Sequence, residues 1–216
     1  MQEQQAAGIR RTVIGVIIFV ALVVSGFVWR MHQPVIMSDR ELRANGAIVL
    51  NTPRIFSDFE LIDHHGDTFD LSRLQGKWSV LFFGFSNCPD VCPTTLAVLN
   101  DMYGKLREGE QEKIQVVMVS LDPERDTEEK LSQYVPYFNE TFTGVTGNPH
   151  LIKRLAYELN IAYNKVPLGE ENYTVDHSTQ LVLVNPKGHY HGFFKAPHNE
   201  MILRKTWRSI SATFEK

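Results

Sequence analysis

The stretch Gly84-Phe-Ser-Asn-Cys88-Pro-Asp-Val-Cys92-Pro-Thr-Thr holds both cysteines of the chain and constrains what can be built around them. Upstream, Trp78-Ser-Val-Leu-Phe-Phe83 is an apolar, aromatic run of the kind that forms a buried strand. Downstream, Leu96, Leu99, Met102, Tyr103 and Leu106 recur at helical spacing, which predicts a helix with one core-facing stripe. The cysteines therefore sit where a strand gives way to a helix. Pro93 suits the first turn, where its missing N–H is no loss. A helix N-terminus offers free N–H groups and a partial positive charge, which favour a thiolate. Thiolates ligate soft metals and attack disulfides. Residues four apart share a helical face with Cβ atoms about 5–6 Å apart, so one metal ion or a disulfide could join the pair. Two buried structural thiols, or a structural disulfide, are the plainer alternatives. The neighbouring Pro and Asp and the strand end argue instead for an exposed turn. The spacing is one residue longer than the Cys-x-x-Cys redox signature. Only two cysteines are present, which excludes an all-thiolate zinc site or an iron–sulfur cluster within one chain. A metal would need a third donor from elsewhere, and two thiolates with a histidine suit copper.

The remaining composition describes one globular domain with an addition at its start. Of 216 residues, 43% are hydrophobic and 22% charged, and the net charge of −3 gives no basic surface for nucleic acid. The six methionines form no metal-binding tract. From Thr12 to Trp29 there is no charge, and Arg10-Arg11 and Arg30 bound the stretch. It is long enough to span a bilayer. Its apolar core is too long for a cleaved signal, and no small-x-small site follows, so it reads as an uncleaved anchor. Arg10 and Arg11 before the span against Arg30, Arg40 and Arg43 after it leave the orientation open. The start lacks the character of an organellar transit peptide, which favours a bacterial source. The expected organisation is a tail over 1–11, an anchor over 12–29, a tether over 30–50 and a folded domain over 51–216.

Along that domain, Ala47-Ile-Val-Leu50 could form a short strand within the tether. Phe59 to Asp63 alternates, His64-His-Gly66 turns and Thr68 to Leu71 follows, which predicts a β-hairpin with both histidines solvated. Ile114 to Val119 reads as a second buried strand, with Asp122-Pro-Glu-Arg-Asp126 as the loop beyond it. Asp126 with Glu129 has the spacing of a capping box for a helix bearing Leu131, Tyr134, Val135 and Phe138. Asn148-Pro149 opens another helix, and residues 166–176 read as a polar excursion. Thr179 to Val184, a turn at Asn185-Pro-Lys-Gly188, and Tyr190 to Phe194 give a strand, turn and strand. Ile202, Leu203, Trp207, Ile210 and Phe214 mark a final amphipathic helix. A βαβ unit followed by ββα is the thioredoxin arrangement. The predicted fold is α/β and thioredoxin-like, with an N-terminal hairpin extension and an inserted loop, on one transmembrane helix. In such a sheet reactive groups gather beyond the C-terminal ends of the parallel strands, where Cys88, Cys92 and Asp122 belong.

Three motifs carry a resemblance: Cys88-Pro-Asp-Val-Cys92-Pro, Asp122-Pro-Glu-Arg-Asp126-Thr, and Val175-Asp-His177-Ser-Thr with Asn185-Pro-Lys-Gly188 downstream. In this order and spacing they resemble the Sco/SenC family over roughly residues 50–215. The resemblance implies a thioredoxin-like domain on a single anchor, facing the periplasm or the mitochondrial intermembrane space. It also implies copper held by Cys88, Cys92 and His177. His177 precedes a core strand, where thioredoxins carry a cis-proline beside their cysteines. Asp176 is then a candidate to orient the imidazole. Asp122 is a candidate to tune the thiols or to form a docking surface. His150 reads as a surface residue. His189, His191 and His198 form at best a weak secondary site, with His191 solvated.

The resemblance implies a metallochaperone that binds Cu(I) or Cu(II) and helps assemble the dinuclear copper site of cytochrome c oxidase subunit II. An upstream copper donor and a thiol reductant would be its other partners, at a bacterial inner membrane or, alternatively, a mitochondrial one. The competing reading is a thiol–disulfide reductase acting on the same oxidase cysteines through Cys88 and Cys92. A peroxidase or redox sensor ranks below both.

Overall fold

The computed structural model describes residues 2–32, 35–169 and 172–214. Residue 1 of the expected tail, 33–34 of the tether, 170–171 of the excursion and 215–216 lie outside them. Helix α1 (Gln2–His32) contains the uncharged stretch. Its span Arg10–Met31 is long and apolar enough to cross a membrane and is not buried within the protein.

The centre of the domain is parallel. Strands β4 (Trp78–Gly84), β5 (Ile114–Ser120) and β6 (Thr143–Thr146) pair in order with parallel register, Gly84 opposite Ser120. Every residue of β4 is buried, which explains its continuous apolar run. Helix α3 (Val91–Gly104) joins β4 to β5, with a short α4 (Glu108–Gln111) before β5. Helix α5 (Glu128–Phe138) joins β5 to β6. On the other side of β4 lie β9 (Leu181–Val184), β10 (Tyr190–Phe194) and β1 (Ala47–Arg54), all in antiparallel pairings. The predicted hairpin β2 (Glu60–Asp63) and β3 (Thr68–Asp70) extends the sheet beyond β6. Helix α6 (Pro149–Glu158), capped by Asn148, and helix α7 (Glu200–Phe214) complete the main body. The expected βαβ unit and terminal ββα unit are both present.

The expected tether is largely part of the domain. Ser38 caps helix α2 (Asp39–Ala44) in a reciprocal box with Glu41, and the Met37 N–H donates to Ser209 Oγ at 2.7 Å. β1 then pairs with β10 as the edge strand. Gly192 permits that pairing: a Cβ there would stand 2.2 Å from the Ile48 carbonyl oxygen. The folded domain therefore begins near Met37. The expected inserted loop is instead a hairpin, β7 (Tyr163–Pro167) and β8 (Tyr173–His177), forming a separate two-stranded sheet. β6 was not predicted.

Three side chains depart from expectation because tertiary packing overrides local pattern. The cap of α5 is Thr127, whose side chain accepts from the Lys130 N–H, and Asp126 is buried. His64 is buried too: its Nδ1 accepts from the Gly144 N–H at 2.8 Å. His191 packs edge-on against Trp78 and Phe214 rather than facing water.

Burial depresses the pKa of His191 to about 4, and burial also lowers His64 and His198. A histidine held neutral in the fold contributes fully above its unfolded pKa of 6.5, and that contribution is lost as pH falls from there towards the folded value. Urea midpoints should therefore drop between pH 6.5 and about 4. His191→Phe should flatten this dependence; an unchanged slope would contradict the assignment.

Candidate metal centre

The candidate residues Cys88, Cys92 and His177 lie near the end of the sheet where β4 and β5 finish. Gly84 closes β4 and lets α3 approach: a Cβ there would stand 3.0 Å from Cys92 Sγ and 2.8 Å from the Phe82 ring. Cys92, in the first turn of α3, is completely buried, whereas Cys88 in the preceding loop is half-exposed. The exposed-turn expectation thus holds for Cys88 and fails for Cys92. Both are free thiols. The Cys92 N–H donates to Cys88 Sγ at 3.4 Å, so the helix start does present an N–H to sulfur, but to Cys88. At Cys92, burial outweighs the helix terminus and pushes the thiol far above its usual range. The Phe85 N–H opposes that rise, while Cys88 and Asp126 add to it.

His177, the last residue of β8, reaches the pair from the other side. Its Nε2 lies 3.8 Å from Cys92 Sγ, and its Nδ1 lies 2.9 Å from the Ser178 carbonyl oxygen. A carbonyl only accepts, so Nδ1 carries the proton and Nε2 of the neutral ring keeps its lone pair towards the sulfur. The Phe82 and Phe85 rings meet the imidazole edge-on at 6.4 and 6.1 Å. Asp176 does not orient the ring. It is exposed and sits opposite Asn164 in the hairpin, and the orienting acceptor is the Ser178 carbonyl. Among the described residues, no three His, Cys, Asp or Glu side chains stand close enough to hold an ion as they are. Cys92 and His177 face each other, and Cys88 Sγ meets the Cys92 N–H beside them. Two sulfurs and an imidazole with its lone pair presented fit a soft, low-coordinate ion. His150 is exposed, His198 Nε2 is committed to the Thr179 carbonyl, and among the described residues no second cluster of histidines able to hold a metal forms.

The model of the SCO1/SenC family matches residues 49–211. This chain belongs to the SCO1/SenC family. It is 31% identical over 200 residues to a SCO2-like protein of Rickettsia conorii, covering 90% of this chain and 96% of that one. Among solved structures, copper-bound ScoI of Arabidopsis thaliana is 33% identical with a TM-score of 0.69, covering 74% of this chain and 99% of that one. Copper-bound yeast Sco1 is 27% identical with a TM-score of 0.67, covering 76% and 91%. The thioredoxin-like expectation agrees with these neighbours.

Two buried carboxylates flank the candidate site of this Sco chain in roles other than those expected: Asp126, expected as a cap, is the one that acts on Cys92, and Asp122, expected to tune the thiols, does not. Asp126 accepts from the Ser86 N–H at 3.0 Å, from Ser86 Oγ at 2.5 Å and from Ser120 Oγ at 2.7 Å. It thereby ties the end of β5 to the loop that carries Cys88, and it is the carboxylate that acts on the Cys92 thiol. Asp122 instead serves the hairpin. It is ion-paired with Arg125 and accepts from Tyr173 Oη at 2.6 Å, while the Arg125 guanidinium lies 3.8 Å over the Tyr173 ring. Tyr173 begins β8, the strand that ends in His177, so Asp122 helps position the imidazole from a distance. Sequence reading missed Ser86, Ser120, Tyr173 and Tyr134. The last has a buried hydroxyl with no hydrogen-bond partner among the described residues, and burial followed by the nearby cysteines raises its pKa. A polar residue closing an apolar strand, as Ser120 does, was the signal available.

Asp126→Ala leaves three donors without their acceptor and should destabilise the domain by at least about 2 kcal/mol in urea unfolding. Tyr173→Phe should cost about 1 kcal/mol and speed amide exchange at Val175 and His177. Parent-like exchange there would remove Asp122 and Tyr173 from the support of His177.

Proposed function

We propose that this chain is a membrane-anchored copper metallochaperone, carrying one copper ion as cargo between Cys88, Cys92 and His177. The observation that carries this reading is the fixed imidazole: Nδ1 tied to the Ser178 carbonyl, Nε2 turned to Cys92 Sγ at 3.8 Å. A dithiol reductase has no use for such a group. Cu(I) is satisfied by two thiolates, and the added imidazole also accommodates Cu(II). The Phe82 and Phe85 rings pack edge-on against the histidine, while the part-exposed Cys88 and His177 leave the site open to a recipient. The recipient would be the dinuclear copper site of cytochrome c oxidase subunit II, and the donor an upstream copper carrier. α1 would hold the domain on the periplasmic side of a bacterial inner membrane. BsSco, a member of the Sco family of cytochrome c oxidase assembly proteins with a disulfide switch, shares the fold at 22% identity and a TM-score of 0.57.

The unequal burial of the cysteines favours a second activity of the same pair, thiol–disulfide reduction. Cys88 as thiolate would attack one sulfur of a partner disulfide, forming a mixed disulfide and releasing the other partner sulfur as a thiolate. Cys92, once deprotonated, would attack Cys88 Sγ and release the second partner thiolate. The partner gains two electrons, the chain is left with a Cys88–Cys92 disulfide, and a thiol reductant must restore it.

The test is copper titration of the full chain in detergent, beside Cys88→Ser, Cys92→Ser and His177→Ala. One tightly held copper per chain is expected, lost in both serine variants and weakened about 10- to 100-fold in His177→Ala. Parent-like affinity in His177→Ala would sink the ligand assignment. No tight copper, with a readily cycling disulfide, would transfer the function to the reductase.

A further inference from the structure

We infer that the lower end of the sheet, opposite the cysteines, rests on the lipid headgroups of the membrane that α1 crosses, so that the Cys–His site is presented on the far side. The inference depends on the anchor reading of α1 and adds to it which face of the domain the bilayer meets.

The argument is one of chain length and register. Residues 33–36 join His32, the end of α1, to Met37, which is fixed to Ser209. Five Cα steps reach at most about 18 Å when fully extended. Ser209 lies in the lower half of the domain. Its neighbour Arg208 pairs with Glu110 of α4 at 2.6 Å, just before β5 begins, and Phe214, at the end of α7, packs on Trp78 at the start of β4. The other end of α7 is marked by His198, bonded to Thr179 ahead of β9, near the cysteine end. From Met37 the chain climbs through α2 to Ala47, which is level with Phe82 through the register Ala47–Phe194–Leu181–Phe82. The climb away from the anchor is thus towards the site. Trp78 to Gly84 spans about 20 Å of strand, and Cys88 lies beyond it. A tether that short keeps the lower end within about 18 Å of the bilayer and favours the orientation in which Cys88 points away from it.

The lower rim is chemically suited to phosphate headgroups. Lys77, just before β4, and Lys187, in the β9–β10 turn, are both exposed there. A bridge between Gln75 and Lys187, and a bond from the Gly76 N–H to the Pro186 carbonyl, hold the two loops side by side. Glu112 is an exposed carboxylate of the same rim, so the attraction is local and the tether does most of the placing.

The test reconstitutes the full chain in vesicles of phosphatidylcholine and phosphatidylglycerol carrying a headgroup nitroxide quencher. One fluorophore is placed on Cys88 in Cys92→Ser. Others are placed on Lys77→Cys and Lys187→Cys, each in a Cys88→Ser/Cys92→Ser background. Several-fold stronger quenching at positions 77 and 187 than at 88 is expected. Equal or stronger quenching at Cys88 would overturn the inference, and so would no quenching at any position in protein that resists alkaline extraction. Protein that washes off at alkaline pH would defeat the anchor reading itself, and the inference with it.

Discussion

A buried carboxylate with no cation among its hydrogen-bond partners is what the site depends on. Asp126 is fully enclosed, and its charge is met by one backbone N–H and two hydroxyls. Burying an anion this way is costly unless every lone pair has a donor. The need for donors therefore draws the end of β5, the loop after β4 and the start of α5 to one point. Cys88 lies two residues beyond Ser86, so its place follows from that requirement. The same charge disfavours ionisation of Cys92. The structure thus stabilises a protonated buried thiol in the absence of a cation, and a bound cation would reverse that balance.

The three proposed donors come from three elements built separately. α3 carries Cys92 against Gly84, the loop carries Cys88, and the β7–β8 hairpin carries His177. Among the described residues the hairpin shares no strand pairing with the main sheet. It is held instead by Tyr173 between Asp122 and Arg125, and by Lys165, which pairs with Glu124 at 2.7 Å and lies over the Tyr173 ring. The imidazole is therefore positioned by contacts some four residues up its own strand. Its tautomer is set by its neighbour's carbonyl.

Much of this was legible in the sequence where burial is one-sided and continuous. β4, β5 and the stripe of α3 could be read because every apolar residue in them serves one core. Asn148-Pro149 announced α6 for a local reason, a cap followed by proline. β6 escaped notice because Thr-Gly-Val-Thr has no apolar run. Gly144 is required there by Val135, which would stand 2.9 Å from a Cβ. β7 is mostly exposed and β8 mostly half-buried, so neither carries the continuous apolar run of a core strand. α2 is too short for periodicity, although its Ser38–Glu41 box was there to be read. Adjacent histidines in a turn look solvated, and only the Gly144 N–H, eighty positions away, explains why His64 is not. Asp176 was a reasonable candidate by adjacency. Strand alternation sends it away from the site and leaves the orienting bond to a backbone group, which no side-chain pattern encodes.

The unequal exposure of the proposed donors bears on how a carrier could release what it holds. A ligand from a recipient must approach the ion before the old bonds are gone, and it can do so only where the shell is open. Cys92 is sealed beneath α3, and His177 is backed by two aromatic rings. Of the three only Cys92 is fully buried, while Cys88 and His177 both border solvent, so exchange in the proposed function begins on their side. Cys92, the buried sulfur, would then be the last to let the ion go. Beside that opening, Val91 on the first turn of α3 is 41% exposed, an apolar residue at the rim of a polar exchange site. Contact there would dehydrate the opening as a partner docks, strengthening the competition between sulfurs at the moment when one must yield.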